Sequence, residues 1–157
     1  MRLKQRVGDF KVRELLREGY LLERGPVRVY RVTKRKLTTP EAVDVLAAEA
    51  GVDRQQVGIA GLKDRQGITV QHMSVVDGRD VQLDVDGLRI EPVGSADQPL
   101  DSTDSLGNAF DINVRALTSR EVSALRANLD PVREGGVPNY FDDQRFGCLR
   151  HVPLARS

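Results

Sequence analysis

The sequence predicts an α+β fold in which a mostly antiparallel, mixed sheet packs against flanking helices. Segments that alternate apolar and polar residues are typical of half-buried strands, and two other segments combine helical spacing with capping signals. There is no internal repeat or low-complexity linker. With 157 residues, 39% hydrophobic and 30% charged, the chain has the composition of one domain or of part of a larger one. We therefore expect a single unit over residues 1–157.

The first half of the chain predicts strands and one helix. Residues 10–16 (FKVRELL) and 27–33 (VRVYRVT) have the alternation expected of strands. Thr39 is a candidate N-cap, and the apolar residues that follow at helical spacing end at Gly51. The short run 57–60 (VGIA) then leads into a glycine-bounded loop and a further strand, ITVQHMSVV, at residues 68–76.

The second half is predicted to contain more loop. Residues 77–107 are rich in Asp, Gly, Ser and Pro and contain one short strand candidate, formed by Leu88, Ile90 and Val93. Residues 109–117 alternate again. Thr118 and Glu121 then have the spacing of a capping box, which predicts a second helix that ends at Pro131.

Several classes of protein are excluded or disfavoured by composition. No uninterrupted apolar run approaches 18 residues, and the N-terminus lacks a secretory apolar region, so a cytoplasmic location is expected. One cysteine, Cys148, and two histidines, His72 and His151, disfavour both a disulfide and a structural zinc site. The common phosphate-loop, nucleophile-elbow and dinucleotide motifs are absent, and we expect no metal.

Charge is distributed unevenly along the chain. Residues 1–36 carry twelve basic and four acidic residues, whereas residues 77–111 carry two basic and nine acidic residues. The basic segment is compatible with a polyanionic partner, because Lys and Arg gain free energy when they replace counterions at phosphates. Alternatively, the acidic residues offset the basic segment and keep the surface soluble.

Asp64 is the first candidate for chemistry. It lies between Lys63 and Arg65 in G-I-A-G-L-K-D-R-Q-G-I-T-V-Q, residues 58–71. Adjacent cations favour an ionised carboxylate, which can act as a nucleophile or a general base. The alternative interpretation is a solvated turn between two strands, since turns favour Asp and Gly.

Two further segments combine an amide with aromatic rings. In L-G-N-A-F, residues 106–110, Asn108 could bind the edge of a flipped base and Phe110 could stack on it. The alternative is that Asn108 holds a turn and Phe110 belongs to the core. The stretch G-V-P-N-Y-F-D-D-Q-R-F-G, residues 136–147, could support a site from behind or fill the base of the core.

Together these segments resemble the TruD family of tRNA pseudouridine synthases. The family has an A-G-x-K-D loop ending in T-x-Q, a G-N-x-F segment and a G-V-P-N-Y-F-x-x-Q-R-F-G stretch, which here begin at Ala60, Gly107 and Gly136. Its N-terminal K-x-x-x-x-D-F-x-V-x-E also matches, starting at Lys4. The resemblance extends over almost the whole chain.

The resemblance implies an enzyme that converts a uridine in the D-arm of tRNA, uridine 13, to pseudouridine without a cofactor. Asp64 matches the catalytic aspartate of the family. Residues that match positions around the target nucleotide are Phe10, Asn108, Phe110 and Lys4. Lys63 and Arg65 are expected to hold the phosphate beside the extruded base. Residues expected to support these from behind are Gln71, Asn139, Gln144 and Arg145.

The resemblance also implies that the chain corresponds to the N-terminal portion of the catalytic domain. Family members continue with an inserted domain and the rest of that domain, so a complementary chain or self-association is expected to cover the incomplete part. Two other functional classes stay open: a non-catalytic RNA-binding module, and an inactive remnant of such an enzyme.

Overall fold

The computed structural model describes residue 2 and residues 5–136. It divides into two compact units, Met1–Ala116 and Leu117–Ser157. The strands of the first unit are β1 (Phe10–Leu16), β2 (Val27–Arg35), β3 (Val57–Ile59), β4 (Ile68–Val76), β5 (Leu83–Val85), β6 (Leu88–Ala96) and β7 (Ser105–Ile112). Its helix is α1 (Thr39–Ala50), and the second unit contains α2 (Ser119–Gly135).

One mixed sheet organises the first unit. Its strand order is β5-β6-β2-β4-β1-β7, with β3 beside β4. The paired strands are antiparallel except β1 and β4, which run parallel. The structure therefore confirms the α+β class with a mostly antiparallel, mixed sheet.

The strands at residues 10–16, 27–33 and 68–76 are confirmed, but the prediction that loops dominate residues 77–107 is wrong. Strand β6 alone has nine residues, and β7 already begins at Ser105. The misleading residues are Pro92 and Gly94, which lie inside β6 where its register with β2 shifts. Proline and glycine are common at such bulges, so here they mark a bend in a strand and not a loop.

Helix α1 begins one residue earlier than expected, with Thr38 as its N-cap. The Thr38 hydroxyl accepts a hydrogen bond from the backbone N–H of Glu41, and the Glu41 carboxylate accepts one from the N–H of Thr38. Gly51, in the left-handed conformation with φ +71°, ends the helix. The helix packs Val43 and Leu46 into the main apolar core.

Beneath α1, the inward-facing residues of the β2–β4 pair change character along the strands. The register pairs Tyr30 with Met73 at one end, and Lys34 with Thr69 at the other. All four side chains are buried. One end of the strand pair is thus apolar, and the other is a buried polar region directly below the loop that contains Asp64.

Helix α2 confirms the capping box but not the predicted end. Thr118 and Glu121 exchange the expected hydrogen bonds, but the helix continues through Pro131 to Gly135. A proline inside a helix removes one backbone hydrogen bond without necessarily ending the helix. Among the described residues, no helix combines the length and apolar character needed to cross a bilayer.

Candidate active site

Asp64 lies in the loop that connects β3 to β4, at the wall of a cleft of about 170 Å³. The cleft is lined by Phe10, Val12, Leu62, Lys63, Asp64, Asn108 and Phe110. Five residues selected from the sequence therefore meet in one place, although they come from three separate segments of the chain.

Strands β1 and β7 supply the aromatic side of the cleft. Their antiparallel register sets Val12 opposite Phe110, and the rings of Phe10 and Phe110 lie 6.1 Å apart at an angle of 48°. Phe110 is 59% exposed, and Asn108 is also exposed. The alternative in which Asn108 holds a turn and Phe110 fills the core is therefore wrong, because both lie on an exposed part of a strand.

The Lys63 side chain forms an ion pair with Glu14. Its ammonium group donates to Glu14 Oε1 at 2.7 Å, and the Lys63 side chain is only 9% exposed. Sequence analysis expected Lys63 to hold a phosphate, whereas the structure directs its charge to a buried carboxylate. The other oxygen of Glu14 accepts a hydrogen bond from the backbone N–H of His72 at 2.8 Å.

The surroundings of Glu14 keep it ionised. Burial is the largest single influence and acts to raise the pKa of Glu14, but the hydrogen bonds from His72 and Lys63 together outweigh it, so the pKa lies below its ordinary value. Glu14 thereby anchors the Lys63 side chain, and with it the residue that precedes Asp64.

Lys34 fastens the backbone of the same loop. Its buried ammonium group donates to the carbonyl oxygens of Lys63 at 3.1 Å and Asp64 at 2.9 Å, and to that of Leu37 at 2.9 Å. Burial lowers the pKa of Lys34 to about 8, with a partial offset from the charge of Asp64. Three donors thus meet three carbonyl acceptors.

Thr39 and Gln71 complete this support. The Thr39 hydroxyl accepts a hydrogen bond from the backbone N–H of Lys63 at 3.0 Å and donates to Gln71 Oε1 at 2.9 Å. Gln71, expected to support the site, therefore acts on the loop through Thr39. Side chains from β1, β2, α1 and β4 converge on two consecutive residues of one loop.

Sequence analysis missed Lys34 and did not assign a role to Glu14. Each lies on a strand at an inward-facing position, in phase with the buried residues Val32 and Val12 respectively. A charged residue at the inward phase of a strand is therefore the signal that would have identified both.

Arg65 does not line the cleft with Asp64. Its Nε donates to the carbonyl oxygen of Lys36 at 3.2 Å, and its side chain borders a different cleft. The predicted residues that lie outside the described part of the chain are Lys4, Asn139, Gln144 and Arg145. Among the residues that are described, no three His, Cys, Asp or Glu side chains are grouped to hold a metal ion.

Comparison with known protein families identifies the family of the chain. The family model described as tRNA pseudouridine synthase D (TruD) matches residues 1–154. The chain belongs to the TruD family. It is 35% identical over 150 residues to a probable tRNA pseudouridine synthase D 1 of Methanococcus maripaludis, covering 95% of this chain and 38% of that protein. A tRNA pseudouridine synthase D of Aquifex aeolicus is 31% identical over 158 residues, covering 97% and 41%.

The fold agrees with that of a solved TruD-family structure. A crystal structure of a putative tRNA pseudouridine synthase D from Methanosarcina mazei superposes with a TM-score of 0.82 at 29% identity, over 92% of this chain and 35% of that one. The chain therefore spans less than half of the length of the TruD relatives it matches.

Proposed function

We propose that this TruD-family chain carries the nucleophilic part of a tRNA pseudouridine synthase that acts on uridine 13 of the D-arm. The observation that supports this most directly is the cleft that is lined by Asp64 together with Asn108, Phe10 and Phe110. A carboxylate in one cleft with an amide and two aromatic rings suits a nucleotide that has left its stack, because the rings can stack on the base while the amide binds its edge.

The reaction is an isomerisation and needs no cofactor. The N1–C1′ glycosidic bond breaks, the uracil rotates, and a C5–C1′ bond forms, while C5 loses its proton and N1 gains one. In our proposal the Asp64 carboxylate attacks the ribose, or assists its deprotonation, as the glycosidic bond breaks. The product has the same atoms as the substrate apart from the hydrogen exchanged at C5.

Asp64 must be held still to act, and the structure offers a physical basis for this. Its backbone carbonyl accepts from buried Lys34, and the preceding residue is fixed through its N–H by Thr39 and through its side chain by Glu14. We assign Lys34, Thr39 and Glu14 as positioning residues, because a displacement of about 1 Å in a reacting group can cost about 10²-fold in rate.

The test is release of tritium from tRNA that carries [5-³H]uridine. The protein, its Asp64→Asn variant and an Asp97→Asn control are compared at equal concentration; Asp97 is exposed and does not line the cleft. We expect release from the parent and the control, and a loss of roughly 10⁴-fold or more in Asp64→Asn, as is typical when a nucleophile is removed.

Other outcomes distinguish the remaining functional classes. RNA binding without release from the parent would indicate a non-catalytic binding module and contradict the proposed activity of this chain. Absence of both RNA binding and release would indicate an inactive remnant. Equal release from the parent and Asp64→Asn would remove Asp64 from the chemistry.

A further inference from the structure

A second cleft lies on the other side of the loop that contains Asp64. It has a volume of about 370 Å³ and is lined by Gln5, Arg6, Val7, Lys36, Arg65 and Gln66. Three of these residues are cationic and none is acidic. Asp64 therefore borders the first cleft, and the next residue of the loop, Arg65, borders the second.

Arg65 is oriented by the backbone before α1. Lys36 has φ +59°, a left-handed conformation that is uncommon for residues other than glycine, and its carbonyl oxygen accepts from Arg65 Nε. Within the described residues the two Nη groups of Arg65 form no hydrogen bond. The guanidinium is thus held at one nitrogen, while its other two nitrogens remain available to the oxygen atoms of an anion such as a phosphate.

Other basic residues of the segment 1–36 are paired with acidic residues. Five of them form ion pairs with acidic residues of the segment 77–111: Lys11–Asp111, Arg17–Asp104, Arg28–Asp80, Arg31–Glu91 and Arg35–Asp86. The charge offset considered in the sequence analysis is therefore real on that surface. Beside the second cleft, Arg6 interacts electrostatically with Asp9, but the Asp9 carboxylate is buried and is also paired with Arg115.

Glu41 is the acidic residue whose titration Arg65 influences. The pKa of Glu41 is lowered chiefly by hydrogen bonds with Thr38, and only to a smaller extent by the charge of Arg65. The Glu41 carboxylate keeps its negative charge while it caps α1, so it offsets part of the charge of Arg65, but it does not line the cleft. Positive charge is thus concentrated next to the candidate nucleophile.

We infer that Arg6, Lys36 and Arg65 form a subsite for phosphodiester groups of RNA adjacent to the nucleotide in the first cleft. The inference rests on the proposed function. It adds to that function a binding position for the sugar–phosphate backbone of the RNA. Extruding a nucleotide costs a few kcal/mol of unstacking, and contacts to neighbouring phosphates are the means by which proteins offset that cost without regard to sequence.

The experiment measures the salt dependence of tRNA binding by fluorescence anisotropy. The triple variant Arg6→Gln, Lys36→Gln, Arg65→Gln is compared with a control, Arg28→Gln, Arg31→Gln, Arg35→Gln, that removes the same charge from paired sites. Each lost phosphate contact reduces the slope of log K against log salt concentration by roughly 0.7–0.9. We expect the slope to fall by about two in the first triple variant and by less than one in the control.

Failure of this inference and failure of the proposed activity give different results. An unchanged slope in the first triple variant, with tritium released by the parent, overturns the subsite alone. A reduced slope without tritium release overturns the activity alone. No tRNA binding by the parent overturns the subsite.

A titration with inorganic phosphate at constant ionic strength distinguishes a free anion from RNA. Saturation of the parent by phosphate, with tRNA binding unaffected by the triple substitution, would assign the cleft to a small anion and contradict our inference. Thermal unfolding of both triple variants serves as the control for folding.

Discussion

The two ends of the β2–β4 strand pair are equally buried but built from opposite chemistry. At one end Tyr30 faces Met73, and both are completely inaccessible to solvent. At the other end Lys34 faces Thr69, and their exposure is at most 1%. The apolar end stabilises the fold by removing side chains from water. At the polar end burial is unfavourable for any group that lacks a hydrogen bond, as Thr69 Oγ1 and Gln71 Nε2 do among the described residues.

The comparison separates stability from function within a single sheet. Burial of Lys34 is unfavourable by itself, as its lowered pKa shows, yet its ammonium group is the part of the protein that holds the carbonyl of Asp64. The polar end therefore fixes the position of the loop that contains Asp64 more than it adds to the free energy of unfolding. Substitutions at the two ends are expected to affect different measurements.

The largest expected effect comes from breaking the Glu14–Lys63 pair. Glu14→Leu leaves the Lys63 ammonium in a site that is 9% exposed without its partner, which typically costs about 3–5 kcal/mol. The double variant Glu14→Leu, Lys63→Met replaces the pair with apolar side chains of similar size. We expect it to recover most of the unfolding free energy, but not the rate of tritium release.

A double-mutant cycle measures this effect. It compares denaturant unfolding of the parent, the single variants Glu14→Leu and Lys63→Met, and the double variant. Because the pKa of Glu14 is lowered on folding, its stabilising contribution is fully present above its ordinary value of 4.5 and is lost as the pH falls through the folded value. The double variant should lack that part of the acid dependence. Recovery of activity along with stability would contradict the separation of roles.

At the apolar end, Leu46→Ala should cost about 3 kcal/mol of unfolding free energy. Leu46 is fully buried in the cluster under α1, and truncation leaves a cavity that neighbours fill only in part. Tritium release measured well below the melting temperature should remain within a factor of two of the parent. A tenfold loss of activity there would show that the two ends are coupled.

Lys34→Met tests the polar end through pH. A neutral amine has two N–H donors for three carbonyls, so activity of the parent should fall as the pH rises through about 8, the pKa of Lys34. The variant should be roughly 10²-fold slower and lack this alkaline decline. Rates of tritium release by the parent and by Lys34→Met between pH 6.5 and 9.5 test this expectation.

Stability should move in the opposite direction over the same range. The folded pKa of Lys34 lies below its ordinary value of 10.5, so the cost of burying its charge applies fully below about pH 8 and diminishes as the pH rises from there. An alkaline decline in activity that persists in Lys34→Met would assign it to another group.

The smallest effect is expected from Thr38→Ala, which removes the side-chain cap of α1. Loss of such a cap costs about 1 kcal/mol. Helix α1 contributes to both ends, since Thr39 supports the loop that contains Asp64 and Leu46 packs into the apolar core. Thr38→Ser should restore the loss, and circular dichroism during thermal unfolding provides the measurement.

Several strands and helix caps could be predicted from the sequence, because the patterns that indicate them lie within a few neighbouring residues. Alternation predicted β1, β2 and β4, and the spacing of Thr118 and Glu121 predicted the capping box of α2, whereas the N-cap of α1 was predicted one residue late. Alternation indicates which face a side chain occupies, but not which strand lies beside it. The position of β1 between β4 and β7 could therefore not be predicted.

The same limit applies to the site. Asp64, Asn108 and Phe110 could be selected because each stands in a short, characteristic segment. The contacts of Lys34 could not, since they depend on how a loop 29 and 30 residues further along the chain folds back over β2. A lysine within a strand resembles a solvated residue until that loop is in place.

The place of β1 in the sheet has a consequence for synthesis of the protein. Strand β1 carries Phe10 and Glu14 and is synthesised well before its neighbour β7, which spans Ser105–Ile112. A nascent chain must therefore grow by about a hundred residues before the aromatic pair can form, and such distant pairings form late. Until then a growing chain has Asp64 without the aromatic side of its cleft.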